Sequence, residues 1–180
     1  MTVKKVNYII VISSLVALFI QTLVFVSCAE RNARKENEVV QKYDGVTIDI
    51  DISDKNSLAI LLAKDGTINR KGSGVIDSLD KDLFMGITND KIFDSLMNGI
   101  SNDLLTYCNI TSPNCDTAKQ TCKVEIAFGN NNSVCKIEHC VNGTLNDLPK
   151  PIKEFIEKAI IVTDPWYEGQ KNLILKKQPN

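Results

Sequence analysis

Histidine is nearly absent from this chain: His139 is the only one among 180 residues. Any mechanism that needs an imidazole base or a metal-bound imidazole must therefore use that residue. Aromatics are sparse at 6%, with one tryptophan, which argues against a stacking platform for bases. An excess of charge of one sign is also missing, since 21 basic residues face 22 acidic ones. That balance does not predict the concentrated basic face that nucleic acid requires, so no nucleic-acid partner is expected. No C-x-x-C pair occurs, which removes the thioredoxin-like motif and the usual zinc-ligand spacing. Asp65-Gly66 and Gly72-Ser73-Gly74 are too short for a phosphate-cradling loop and precede no immediate helix. The expectation is a chain with no catalytic set, no metal site and no cofactor.

What is present begins at the N-terminus. Lys4 and Lys5 precede an apolar run from Ile9 to Val26, interrupted only by Ser13, Ser14, Gln21 and Thr22. A charged start, an apolar middle and small residues at the end form an export signal. The closing Phe25-Val26-Ser27-Cys28 resembles the lipobox of bacterial lipoproteins. That resemblance implies cleavage before Cys28 and lipid attachment on its thiol, with the domain held outside the cytoplasm at the cell membrane or outer membrane. Two other outcomes remain open. An ordinary signal peptidase can cut after Ala29, using the small residues Ser27 and Ala29. Alternatively, the run stays as an uncleaved anchor, since an 18-residue helix is about 27 Å long, marginally a bilayer core. That last layout is also similar to the ExbD/TolR transport proteins, whose membrane helix carries an aspartate; residues 9–26 have none.

Loss of Lys4 and Lys5 with the signal leaves 19 basic against 22 acidic residues, a balance of −3. Residues 29–44 are polar and charged and read as a tether; 45–175 read as one domain and 176–180 as a tail. The three sequons at Asn109, Asn131 and Asn142 are about what chance gives in so Asn-rich a chain, and they carry no argument.

Val46, Ile48, Ile50 and Ile52 alternate with polar residues, the period of a half-buried strand. Leu58 to Ala63 is a second strand, and Asp65-Gly66 favours a tight hairpin into Thr67-Ile68-Asn69. From Arg70 to Met85 the chain reads as a surface loop with a short edge strand at Leu83-Phe84-Met85. A capped helix should follow Thr88-Asn89-Asp90, with Ile92, Phe93, Leu96, Met97, Ile100 and Leu104 on one stripe. Cys122 to Phe128 and Val134 to Val141 form a hairpin across Gly129 to Asn132. Ile152, Phe155, Ile156, Ala159 and Ile160 form a clean helical stripe, and Asp164-Pro165 looks like the start of a further helix. The order β-β-(β)-α-β-β-α-α predicts an α+β fold: a small antiparallel sheet covered by helices on one face.

The mature domain contains five cysteines, which an oxidising compartment would bridge. A turn at 129–132 sets Ile126 opposite Cys135, so Cys135 is predicted to be a buried free thiol. Cys108, Cys115, Cys122 and Cys140 are then the disulfide candidates, each bridge contributing about 2–4 kcal/mol. A Cys135–His139 catalytic pair fails on geometry, since i and i+4 on a strand lie about 13 Å apart. Asp49, Asp51 and Asp54 lack the glycine and glutamate of an EF-hand loop; Asp77, Asp80 and Asp82 are loop polarity. The reading is an envelope lipoprotein with a binding module of scaffold, inhibitor or immunity type. The alternative is an extracytoplasmic hydrolase using two carboxylates, roughly 5–10 Å apart in a cleft.

Overall fold

The computed structural model describes residues 43–53, 55–73, 82–110, 119–130 and 134–175. Cys28, Asp54, Asp77, Asp80, Cys115, nearly all of the tether and the tail lie outside the described residues. The domain is α+β. Strands β1 (Gly45–Ile52), β2 (Lys55–Ala63), β3 (Thr67–Lys71) and β4 (Leu83–Ile87) precede helices α1 (Asp90–Met97) and α2 (Asn102–Leu105). Strands β5 (Thr121–Gly129) and β6 (Val134–Asn142) follow, then a 3-10 turn at Leu145–Asp147 and the long helix α3 (Lys150–Leu175). The six strands form one antiparallel sheet in the order β4-β3-β2-β1-β5-β6. Among the described residues, no helix is long and apolar enough to cross a membrane.

Alternation decides which face is covered. Val46, Ile48, Ile50 and Ile52 of β1 align with Leu58, Ile60 and Leu62 of β2 and with Cys122, Val124, Ile126 and Phe128 of β5, all buried. Phe93, Leu96 and Met97 of α1, Leu104 of α2 and Ile152, Phe155, Ile156 and Ala159 of α3 close the same core. Phe155 meets Phe128 edge-on at 5.2 Å between ring centroids. At the hairpin between β2 and β3, Gly66 has φ +90°, and a Cβ there would strike the Thr88 carbonyl, so glycine is required.

Three expectations need correction. First, the helix predicted from residue 90 to 104 is two helices, separated at Asn98-Gly99-Ile100. Asn89 is the N-cap of α1 but makes no side-chain cap bond. Gly99 sits in the break, where the Lys158 side chain crosses close to its Cα. Second, Asp164-Pro165 starts no helix: α3 runs through it. Pro165 and Ile161 are both exposed, so the Ile161 carbonyl that loses its i+4 donor faces water.

Third, Arg70 is not in a loop. It belongs to β3 and is 1% exposed. Its guanidinium donates to Thr163 Oγ1 and to the Ile160 carbonyl (3.1 Å), and pairs with Asp164 at 2.6 Å. It also lies 4.7 Å from the Tyr167 ring centroid, while the Tyr167 hydroxyl donates to the Asp82 carbonyl and accepts from the Gly72 N–H. Arg70 thus fastens the second half of α3 to the sheet at the turn that Pro165 weakens.

Candidate functional site: the open face of the sheet

The helices cover one face of the sheet, and the opposite face is made of the alternate residues. From β4 to β6, one row across it is Leu83, Lys71, Ala59, Asp49, Glu125 and Glu138; the next is Met85, Asn69, Leu61, Thr47, Ala127 and Lys136. The face therefore has two chemistries. Towards Gly45 and Gly129 it is apolar. A groove of about 320 Å³ lies there, lined by Gly45, Thr47, Leu61, Ala63, Ala127 and Val134. Small residues form its floor: a Cβ on Gly129 would meet only Val134 at 4.0 Å, and one on Gly45 only the Leu62 carbonyl at 3.7 Å. Chain packing does not require either glycine to be so small, and their effect is to leave the groove empty.

Beside the groove the face is charged. Lys136 binds Glu138 at 2.6 Å and Glu125 at 3.1 Å. Its pKa is raised, chiefly by the hydrogen bond to Glu138 and then by that to Glu125. Asp49 stands directly opposite Glu125. Partial burial raises its carboxyl pKa, and the charges of Glu125 and Asp51 push it further the same way. The side chain still reaches solvent, which screens these effects. Asp49 and Asp51 share this open face, as a solvated strand requires. Among the described residues, no group of three or more His, Cys, Asp or Glu side chains is placed to hold a metal.

The cysteines divide differently from the sequence-based expectation. Cys135 is buried but bridged to Cys108, with Cα atoms 5.1 Å apart. Cys122, expected at an open end and available to pair, is the buried free thiol, its pKa pushed up to about 11 by burial and by the charge of Asp147. The strand register explains both. Phe128 pairs with Cys135 and Ile126 with Ile137, two residues from the predicted pairing. A shift of two preserves which face a residue occupies, so Cys135 does point inward. The helix-side face at Cys135 is where the loop after α2 arrives: the Asn109 N–H donates to the Lys136 carbonyl, and the Lys136 N–H to Asn109 Oδ1. Cys108 therefore lands on Cys135. Cys122 shares the parity of Val124 and Ile126, a signal already in the sequence. Cys140, on the open side of β6, is also disulfide-bonded, to a partner outside the described residues.

His139 lies on the helix side, its ring edge-on to Tyr107 at 6.1 Å, and burial lowers its pKa. It pairs across the hairpin with Val124. The sequence placed an edge strand at Leu83-Phe84-Met85, which β4 extends to Ile87, but it did not reveal the groove or the exposure of Leu83, Met85 and Ile87. The alternation of Leu83, Met85 and Ile87 was the available signal, but the intervening Phe84 masks it as a continuous apolar run. No protein-family model matches the chain, and no curated protein matches it.

Proposed function

We propose that the chain is a cell-envelope lipoprotein, anchored through Cys28 in the cell membrane or outer membrane. Its domain is a non-catalytic binding module that receives an envelope protein partner on the open face of the sheet. The observation that carries this reading is the apolar groove, whose Gly and Ala floor leaves space the fold itself does not use. Lys136, Glu125, Glu138 and Asp49 border it with paired charge, the polar rim expected around a small apolar contact. The Cys108–Cys135 bridge supports an oxidising compartment outside the cytoplasm.

The test is crosslinking in native membranes, comparing the wild type with Ala127→Arg and Leu61→Asp. Both residues line the groove from its open side, so both variants should keep the fold and lose the same crosslinked partner. Mass spectrometry of the extracted chain should find an acylated Cys28 at its N-terminus; a mature chain beginning at Glu30 without lipid refutes the anchor. A carboxylate hydrolase is the second reading, favoured by the raised pKa of Asp49 opposite Glu125. An activity lost in Asp49→Asn and Glu125→Gln, with crosslinking unchanged by the groove variants, would establish it in place of the first.

A further inference from the structure

The two outer strands of the sheet differ in how their free edges are treated. At the outer edge of β6, the loop carrying Asn109 exchanges hydrogen bonds with the Lys136 backbone. Among the described residues, no hydrogen bond reaches the outer edge of β4.

The direction of each free group follows from one contact. The Thr88 N–H donates to the Gly66 carbonyl at 2.8 Å, so Gly66 and Thr88 are a bonded pair. Antiparallel ladders alternate bonded and non-bonded pairs. Ile68 with Gly86 and Arg70 with Phe84 are then bonded as well, and Leu83, Met85 and Ile87 turn their N–H and C=O groups away from β3. The side chains of the same three residues are 56%, 71% and 80% exposed. The strand has no charge, no proline and no bulge, the devices by which soluble proteins keep an edge from pairing.

We infer that β4 pairs with β4 of a second copy of this chain, antiparallel about a two-fold axis at Met85, joining two sheets into one. This inference does not rest on the groove. The chemistry fits a second copy at every position. About Met85, Leu83 stands opposite Ile87 of the second copy, and each of the three outward-facing residues meets another outward-facing residue. Every free N–H and C=O of the three therefore finds a partner. On the helix side, Phe84 faces Gly86 of the second copy, so a ring stands beside the smallest residue. At the ends Asp82 meets Thr88, and no like charges oppose one another. A two-fold contact of this kind closes on itself and forms no fibre.

The experiment uses the full chain extracted in detergent, with sedimentation equilibrium and amide hydrogen exchange read over a range of protein concentrations. The wild type should be a dimer, with the Met85 and Ile87 amides exchanging more slowly as concentration rises. Met85→Lys and Ile87→Lys should each raise the dimer dissociation constant by about tenfold or more and release those amides. Both side chains are exposed, so each variant should melt as the wild type does at concentrations low enough to keep the wild type monomeric. Ile161→Lys, an exposed apolar-to-lysine change on α3, should leave the dimer intact. The inference is overturned by a wild type that stays monomeric with a fast Met85 amide, or by a dimer that both β4 variants leave unchanged. It is equally overturned by a Met85 amide protected in the monomer, which would mean the chain covers its own edge. Protection that appears only when a different protein is added would assign the edge to another partner.

Discussion

The β6 half of the domain is closed and the β4 half is fastened but open. On the β6 side, Phe155 packs against Phe128, and a disulfide carries the loop after α2 onto the last strand. That half is held by apolar burial and a covalent bond, and its outer edge is engaged at Lys136. On the β4 side, α3 is held by the Arg70 guanidinium, and Leu83, Met85 and Ile87 remain exposed along an unpaired edge. The clamp sits against the Tyr167 ring, which meets Phe84 edge-on at 5.3 Å, so this half is packed on the helix side of β4 while the outward edge of the strand stays free. Edges left bare pair with other strands. The difference makes β4, bare along its length, the better place for association than β6, whose edge a tethered loop already engages at Lys136.

The largest expected effect comes from the closed half. Phe155→Ala removes a buried ring from the core and should destabilise the domain by about 3–5 kcal/mol. Arg70→Met, in the other half, removes charge-assisted bonds but also the cost of burying a guanidinium, and the Asp164 it leaves behind is half-exposed, so the net loss should be smaller, about 1–3 kcal/mol. Denaturant melts of the two variants compare them directly. If Arg70→Met proves the costlier, the polar clamp rather than the core organises the fold, and the contrast between the halves fails.

Much of this architecture was legible in the sequence because alternation and helical stripes report burial directly. The β1 pattern, the Asp65-Gly66 hairpin, the β5–β6 hairpin and the Phe155 stripe all appear as expected. The inward side of Cys135 survived an error in register because parity is unchanged by a slip of two residues. Other features depend on contacts between distant residues and leave no local mark. Arg70 reads as loop polarity until Thr163, Asp164 and Tyr167, some 90 residues later, come round to meet it. Pro165 reads as a helix start until Ile161 is seen to face water. The groove is equally hidden, since Gly45, Ala63, Ala127 and Gly129 are ordinary small residues until three strands set them side by side.

The second effect tests the closed edge itself. Cys108→Ala with Cys135→Ala should cost about 2–4 kcal/mol, because the bridge closes a loop whose ends are 27 residues apart. Double substitution is preferable to a reductant, which would also break the bridge at Cys140. The Lys136 amide should then exchange faster, since the Asn109 loop that shields it is no longer tethered. If that amide stays slow, hydrogen bonds alone close the edge and the disulfide is secondary.

The smallest effect lies on the open face between the two edges. Asp49 has a raised carboxyl pKa in the folded chain, first from burial and then from Glu125 and Asp51. Above its ordinary value of 3.8 the unfolded chain ionises this group more readily than the folded one. The folded state therefore binds more protons in that window, and stability falls as pH rises through it. The cost is absent below 3.8, where both states are protonated, and fully present above the folded pKa. Asp49→Asn keeps the shape and removes the charge, so it should stabilise the domain slightly at neutral pH. That advantage should shrink as the pH is lowered toward 3.8. Melts of both proteins across that range measure it. A variant less stable than the wild type at neutral pH would mean that the Asp49 charge is used by the fold, and that the row it shares with Glu125 and Glu138 is structural rather than a surface left for a partner.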